Sequence, residues 1–174
     1  MLSATELFKV NDHLLYLGTG VCRIDEIRTE NFGGSGEKLY FVMRSVNDDR
    51  SVIFVPVDSE KLTSAMFPLM TEDEINDSID RAEINEIEWI PDNKQRAADY
   101  KEIISRGDRT EILRIMRVLL LRKEEFAKLK RKFYSSDERV LAVATKVITD
   151  EFSFVLKIEP SEVIPYIKKR VGAA

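Results

Sequence analysis

The chain has 174 residues, of which 44% are hydrophobic and 33% charged, with a net charge of −4 at pH 7. That is enough apolar content for one large or two small cores, and no global basicity announces a nucleic-acid partner. One cysteine excludes an internal disulfide framework, and apolar runs such as Val118 to Leu121 are far short of a membrane span.

The start, Met1 to Glu6, lacks the basic and apolar regions of a signal peptide, so a cytoplasmic protein is expected. From Phe8 to Pro56, apolar residues fall in short runs at hairpin spacing. Phe8-Lys9-Val10-Asn11-Asp12 and Leu14-Leu15-Tyr16 lead to a Gly18-Thr19-Gly20 turn and Val21-Cys22-Arg23-Ile24. The Gly33-Gly34-Ser35-Gly36 loop precedes Leu39 to Met43, and Ser51 to Val55 runs into Pro56. Strands separated by Gly and Asn-Asp turns predict a small Tudor- or SH3-like barrel over residues 1–60. Cys22, inside a strand pattern, reads as an inert, partly buried thiol.

Beyond Pro56 the period changes. Residues 57–68 read as a connector, with a linker at 61–70 and an all-helical domain at 71–174. Thr71 with Glu74 forms a capping-box signature, and apolar residues then recur at helical spacing. The predicted helices cover about 72–82, 94–105, 109–131, 135–156 and 160–170. Gly107 is a helix stop and Asp108 an N-cap, Ser135 to Glu138 supplies a second capping box, and Pro160 suits a first turn. The fold class is therefore α+β, a barrel followed by helices.

Charge divides the helical half. Residues 71–90 hold eight acids against one base, Arg81, whereas residues 94–132 hold thirteen bases against six acids. Arg106, Arg109, Arg114 and Arg117 have few acids near them in sequence, as a phosphate-neutralising stripe requires. A solvated helix face with pairs such as Glu124 to Lys128 is the alternative. Trp89, the single tryptophan, stands between the acidic and basic parts. It is either a core anchor or a projecting aromatic able to wedge into a base step.

Catalytic chemistry has no constellation here. His13 is the only histidine, and with Cys22 it lacks zinc spacing and a third orienting group. The glycine clusters lack the Lys-Ser/Thr of a phosphate loop. The acidic cluster at 71–88 reads as acids drawn to a helix N-terminus. Neither an enzyme nor a metal or other cofactor is expected.

Phe8-Lys9-Val10-Asn11-Asp12, Tyr16 followed by Gly20-Val21, the Val55-Pro56 strand end, Trp89, and Tyr100-Lys101 with Ser105-Arg106-Gly107-Asp108 together resemble the CarD/CdnL family of bacterial transcription regulators. The resemblance spans nearly the whole chain in order. It implies that the Tudor-like domain docks on the RNA polymerase β subunit and that the helical domain meets promoter DNA at the upstream edge of the melted bubble. It also implies a tryptophan wedge, and so a monomeric, nucleoid-associated factor that alters open-complex stability without reading base sequence. The polymerase-facing set is then Arg28, Arg44, Arg50 and Phe54, beside an edge expected on Leu39–Met43 and Ser51–Val55. The DNA-facing set is Trp89, Arg106, Arg109 and Arg114. Three places depart from the family pattern: Phe54 stands where many members carry Arg, Glu30 stands where another Arg falls, with Arg28 close by, and an insertion-like Ile90-Pro91-Asp92-Asn93 stretch separates Trp89 from Tyr100. An adaptor that binds only proteins is the competing reading.

Overall fold

The computed structural model describes residues 2–34 and 36–172, and the chain divides into two units, residues 1–69 and 70–174. Ser35, in the expected Gly-rich turn, lies outside the described residues.

The first unit opens with α1 (Ala4–Leu7), capped by Ser3 and Glu6. Strands β1 (His13–Tyr16), β2 (Gly20–Glu30), β3 (Lys38–Ser45) and β4 (Val52–Pro56) follow, then α2 (Glu60–Thr63) and β5 (Met66–Pro68). They form one antiparallel sheet in the order β4-β3-β2-β1-β5. Phe8 to Asp12 is not a strand but a turn, with Asn11 at φ 73°, and it drops Phe8 into the core. One face of the sheet packs Leu14, Cys22, Ile24, Phe41, Met43, Val55 and Met66 around Phe8. A register shift between Ile24 and Glu26 bulges β2 at Asp25 and bends the strand, as an unpaired extra residue does.

The stretch expected as a linker carries β5, which pairs with β1 through Leu14–Pro68, Leu15–Phe67 and Tyr16–Met66. Three residues are too few to display the alternation by which strands are read. The expected open edge holds for one of its two strands: the Ser51–Val55 run is β4, an edge of the sheet, whereas β3 is hydrogen-bonded on both sides, to β2 and to β4, so its backbone is consumed.

The second unit contains α3 (Glu72–Ile84), α4 (Asn93–Ser105), α5 (Arg109–Lys128), α6 (Ser135–Leu156) and α7 (Pro160–Arg170). Thr71 accepts from the Glu74 N–H at 3.2 Å while Glu74 accepts from the Thr71 N–H at 2.7 Å. Gly107 stops α4 at φ 71°, a conformation open to Gly, and Asp108 caps α5 through the N–H groups of Thr110 and Glu111. At α6 the N-cap is Tyr134, without a side-chain cap. Asp137 is turned inward instead of serving the helix end. Val140, Ala144, Ile148 and Phe152 put the apolar face of α6 at the centre of the unit.

Candidate functional site

Residues 85–92, between α3 and α4, have no regular secondary structure, so their carbonyls need partners from elsewhere. Two side chains of α4 supply them. The Tyr100 hydroxyl donates to the Glu88 carbonyl at 3.1 Å, and Arg96 Nη1 donates to the carbonyls of Ile90 at 2.5 Å and Pro91 at 3.3 Å. Burial pushes the Tyr100 phenol up to about 12, so it remains a donor across the neutral range.

Arg96 is itself held. Its Nε and Nη2 donate to the two Asp137 oxygens of α6, at 3.1 and 2.5 Å, and both side chains are 0% exposed. A fully enclosed guanidinium is tolerated because a carboxylate fork and two carbonyls use its donors. Its flat face carries the half-buried Trp89 ring, with Cζ 3.8 Å from the ring centroid. Arg122 Cζ of α5 lies 4.9 Å from the same ring. These are cation–π distances.

The stack continues from Arg96 to Tyr134 at 5.6 Å, from Tyr134 to Phe126 at 5.7 Å, and from Phe126 to Arg131 at 5.0 Å. It ends at the α5–α6 corner, where Lys128, Lys130, Arg131 and Lys132 are all exposed. Among the described residues none of these four forms an ion pair. Trp89 is thus neither a fully buried core anchor nor a freely projecting ring. It is a half-buried aromatic within cation–π distance of Arg96 and Arg122, joined through contacts to an open cationic corner.

The expected arginine stripe is different. Arg106 is exposed but pairs with Glu102 at 2.7 Å. Arg109 is buried, gripping Glu151 through Nε at 2.7 Å and Nη2 at 2.8 Å while Nη1 reaches the Gly107 carbonyl. Arg114 bonds Glu111 and the Arg81 carbonyl, and Arg117 lies 3.4 Å from Glu83. Acids distant in sequence or one turn away neutralise all four, so the expectation of unanswered charge is corrected, and Arg109 is an internal strut.

In the sheet unit, the four residues implied to face polymerase separate into two pairs. Arg28 sits between Glu26 at 2.9 Å and Glu30 at 2.7 Å, with Cζ 5.8 Å from the Phe54 ring. Phe54 meets Phe32 at 5.0 Å and Tyr40 at 6.3 Å, and Phe32 meets Tyr40 at 5.2 Å, all edge to face. Register places Arg28 opposite Tyr40 and Val42 opposite Phe54, so this aromatic group lies on the sheet face away from Phe41 and Val55. Arg44 instead bonds the bulge residue Asp25 at 2.9 Å and the Asp49 carbonyl at 2.7 Å, and Arg50 is 88% exposed beside Asp48.

Sequence reasoning missed Arg96, Asp137 and the Phe32–Tyr40 contact. A signal for the first was present: Arg96 shares the buried stripe of α4 with Ala97, Tyr100 and Ile104, where an unpaired charge cannot stay.

Residues 8–68 match the CarD-like/TRCF RID domain, covering the sheet from the Phe8 turn to β5. The helical unit lies outside the matched residues. No curated protein matches the chain. The sheet and its matched span define an RNA polymerase-interacting, transcription-related protein. Residues 8–68 therefore carry a domain similar to the CarD-like/TRCF RID domain.

Proposed function

We propose that this is a non-enzymatic transcription regulator that binds the RNA polymerase β subunit through its sheet unit. Its helical unit contacts promoter DNA, without sequence preference, at the upstream edge of the melted bubble. The observation that carries the DNA reading is the continuity between Trp89, backed by Arg96, and the basic side chains at 128–132. Lysine and arginine there would neutralise phosphates and position the protein. The indole would stack against an unpaired base step, where unstacking costs a few kcal/mol, and so alter the lifetime of the open complex.

Trp89→Ala tests the reading. Open-complex lifetime on a promoter should change while the variant still co-purifies with RNA polymerase and stays folded. An unchanged lifetime in the folded variant would sink the wedge. A full chain that never co-purifies with polymerase would sink the docking.

A further inference from the structure

We infer that Asp137 is a positioning residue for Trp89: through the buried guanidinium of Arg96 it sets where the indole and its loop lie. The inference rests on the reading that Trp89 is the DNA-facing aromatic, but its geometry stands apart from it. Trp89 belongs to a loop with no ladder of its own. Side chains of α4 tie that loop down through the Tyr100 bond to Glu88 and the two Arg96 bonds to Ile90 and Pro91, together with the Arg96 face beneath the ring.

Arg96 could perform that task only if its own rotamer were fixed. Asp137, 41 residues further along the chain, fixes it by taking Nε and Nη2 at once. Each donor direction then has one use. Nε and Nη2 face α6, Nη1 faces the loop, and the planar face is left for the ring. A lysine could hold the charge but not the fork, and an asparagine could accept at one oxygen but not two. Asp137 touches no part of the proposed DNA surface, so its effect passes through Arg96.

The helical unit contains its own control. Arg109–Glu151 is a second enclosed arginine–carboxylate fork that ends on α6, and it makes no contact with the Trp89 ring. Breaking either bridge should weaken the unit comparably; only one should move the tryptophan. Because Trp89 is the sole tryptophan, its emission reports the loop directly in the full chain.

The experiment compares Asp137→Asn, Arg96→Lys and Glu151→Gln, each verified as folded by circular dichroism, for Trp89 emission and acrylamide quenching. A duplex DNA with a melted fork is the binding probe. Asp137→Asn and Arg96→Lys should red-shift the emission and raise quenching, while Glu151→Gln leaves both at parental values. Fork affinity should fall by roughly tenfold in the first two, the scale of one lost aromatic–base stack. Parental fluorescence in either folded Arg96 or Asp137 variant overturns the inference, as does an equal shift in Glu151→Gln. If the parent itself does not bind the fork, the DNA reading fails, and the fluorescence shift still supports the positioning role.

Discussion

Arg109 and Glu151 meet as two parallel hydrogen bonds inside the helical unit, Nε to Oε2 at 2.7 Å and Nη2 to Oε1 at 2.8 Å. Glu151 Oε1 also accepts the Met70 N–H at 2.9 Å, so one carboxylate joins the start of the unit, the first turn of α5 and the end of α6. Removing one member strands a charge. Arg109→Ala should therefore cost about 3–5 kcal/mol in denaturant unfolding. The salt dependence of DNA binding should stay parental in the fraction that remains folded, because Arg109 offers nothing to a phosphate. A reduced salt slope with little loss of stability would return Arg109 to the binding surface.

The exposed corner should behave in the opposite way. Replacing Lys128, Lys130, Arg131 and Lys132 with Gln should flatten the slope of log affinity against log salt by about 0.9 for each phosphate no longer neutralised. The melting temperature should change little, since exposed substitutions usually fall within about 0.5 kcal/mol. Arg106→Gln and Arg114→Gln should leave the slope near parental, their charges being answered by Glu102 and Glu111. The reverse ranking, measured in a salt titration on duplex DNA, would restore the arginine stripe.

Tyr100 gives a prediction in pH. Burial raises its phenol from 10.0 to about 12, so the folded state favours the neutral, donating form. The stabilisation this provides is complete below pH 10 and is lost as pH rises through about 12. Stability of the parent should fall across that window, and Tyr100→Phe should show a smaller fall because the titrating group is gone. Near-ultraviolet tyrosinate absorbance, followed beside the unfolding curves, would locate the late-titrating tyrosine. An equal fall in the Phe variant would mean Tyr100 is not the group responsible.

On the sheet, the aromatic group should matter more for polymerase than the two turn-end arginines. Phe54→Ala removes the centre of the Phe32–Tyr40–Phe54 contacts, the sort of aromatic anchor that dominates interfaces. The affinity for the β subunit should drop by about 2 kcal/mol, roughly thirtyfold. Arg50→Glu, at an 88% exposed site, should leave the fold intact and the affinity near parental. If Arg50→Glu alone abolished binding and Phe54→Ala did not, the contact would lie at the β3–β4 turn.

What the chain declares locally, it declares well. The bounds of α3, α4 and α7 follow from signals a few residues long: Thr71 with Glu74, Gly107 beside Asp108, Pro160, and apolar residues at helical spacing. These work because capping and periodic burial are decided within one or two turns. The runs at Leu14–Tyr16, Leu39–Met43 and Val52–Val55 likewise mark strands by composition alone. Partnership is another matter. β5 exists because β1 had a free edge, and no property of Met66–Pro68 states that. Arg109 looks in sequence like its exposed neighbour Arg106, yet Glu151, 42 residues away, makes it internal. Trp89 could be read as anchor or wedge until Arg96 and Asp137 were brought beneath it from two helices. Charge, burial and orientation are properties of pairs, and those pairs form only when distant segments pack together.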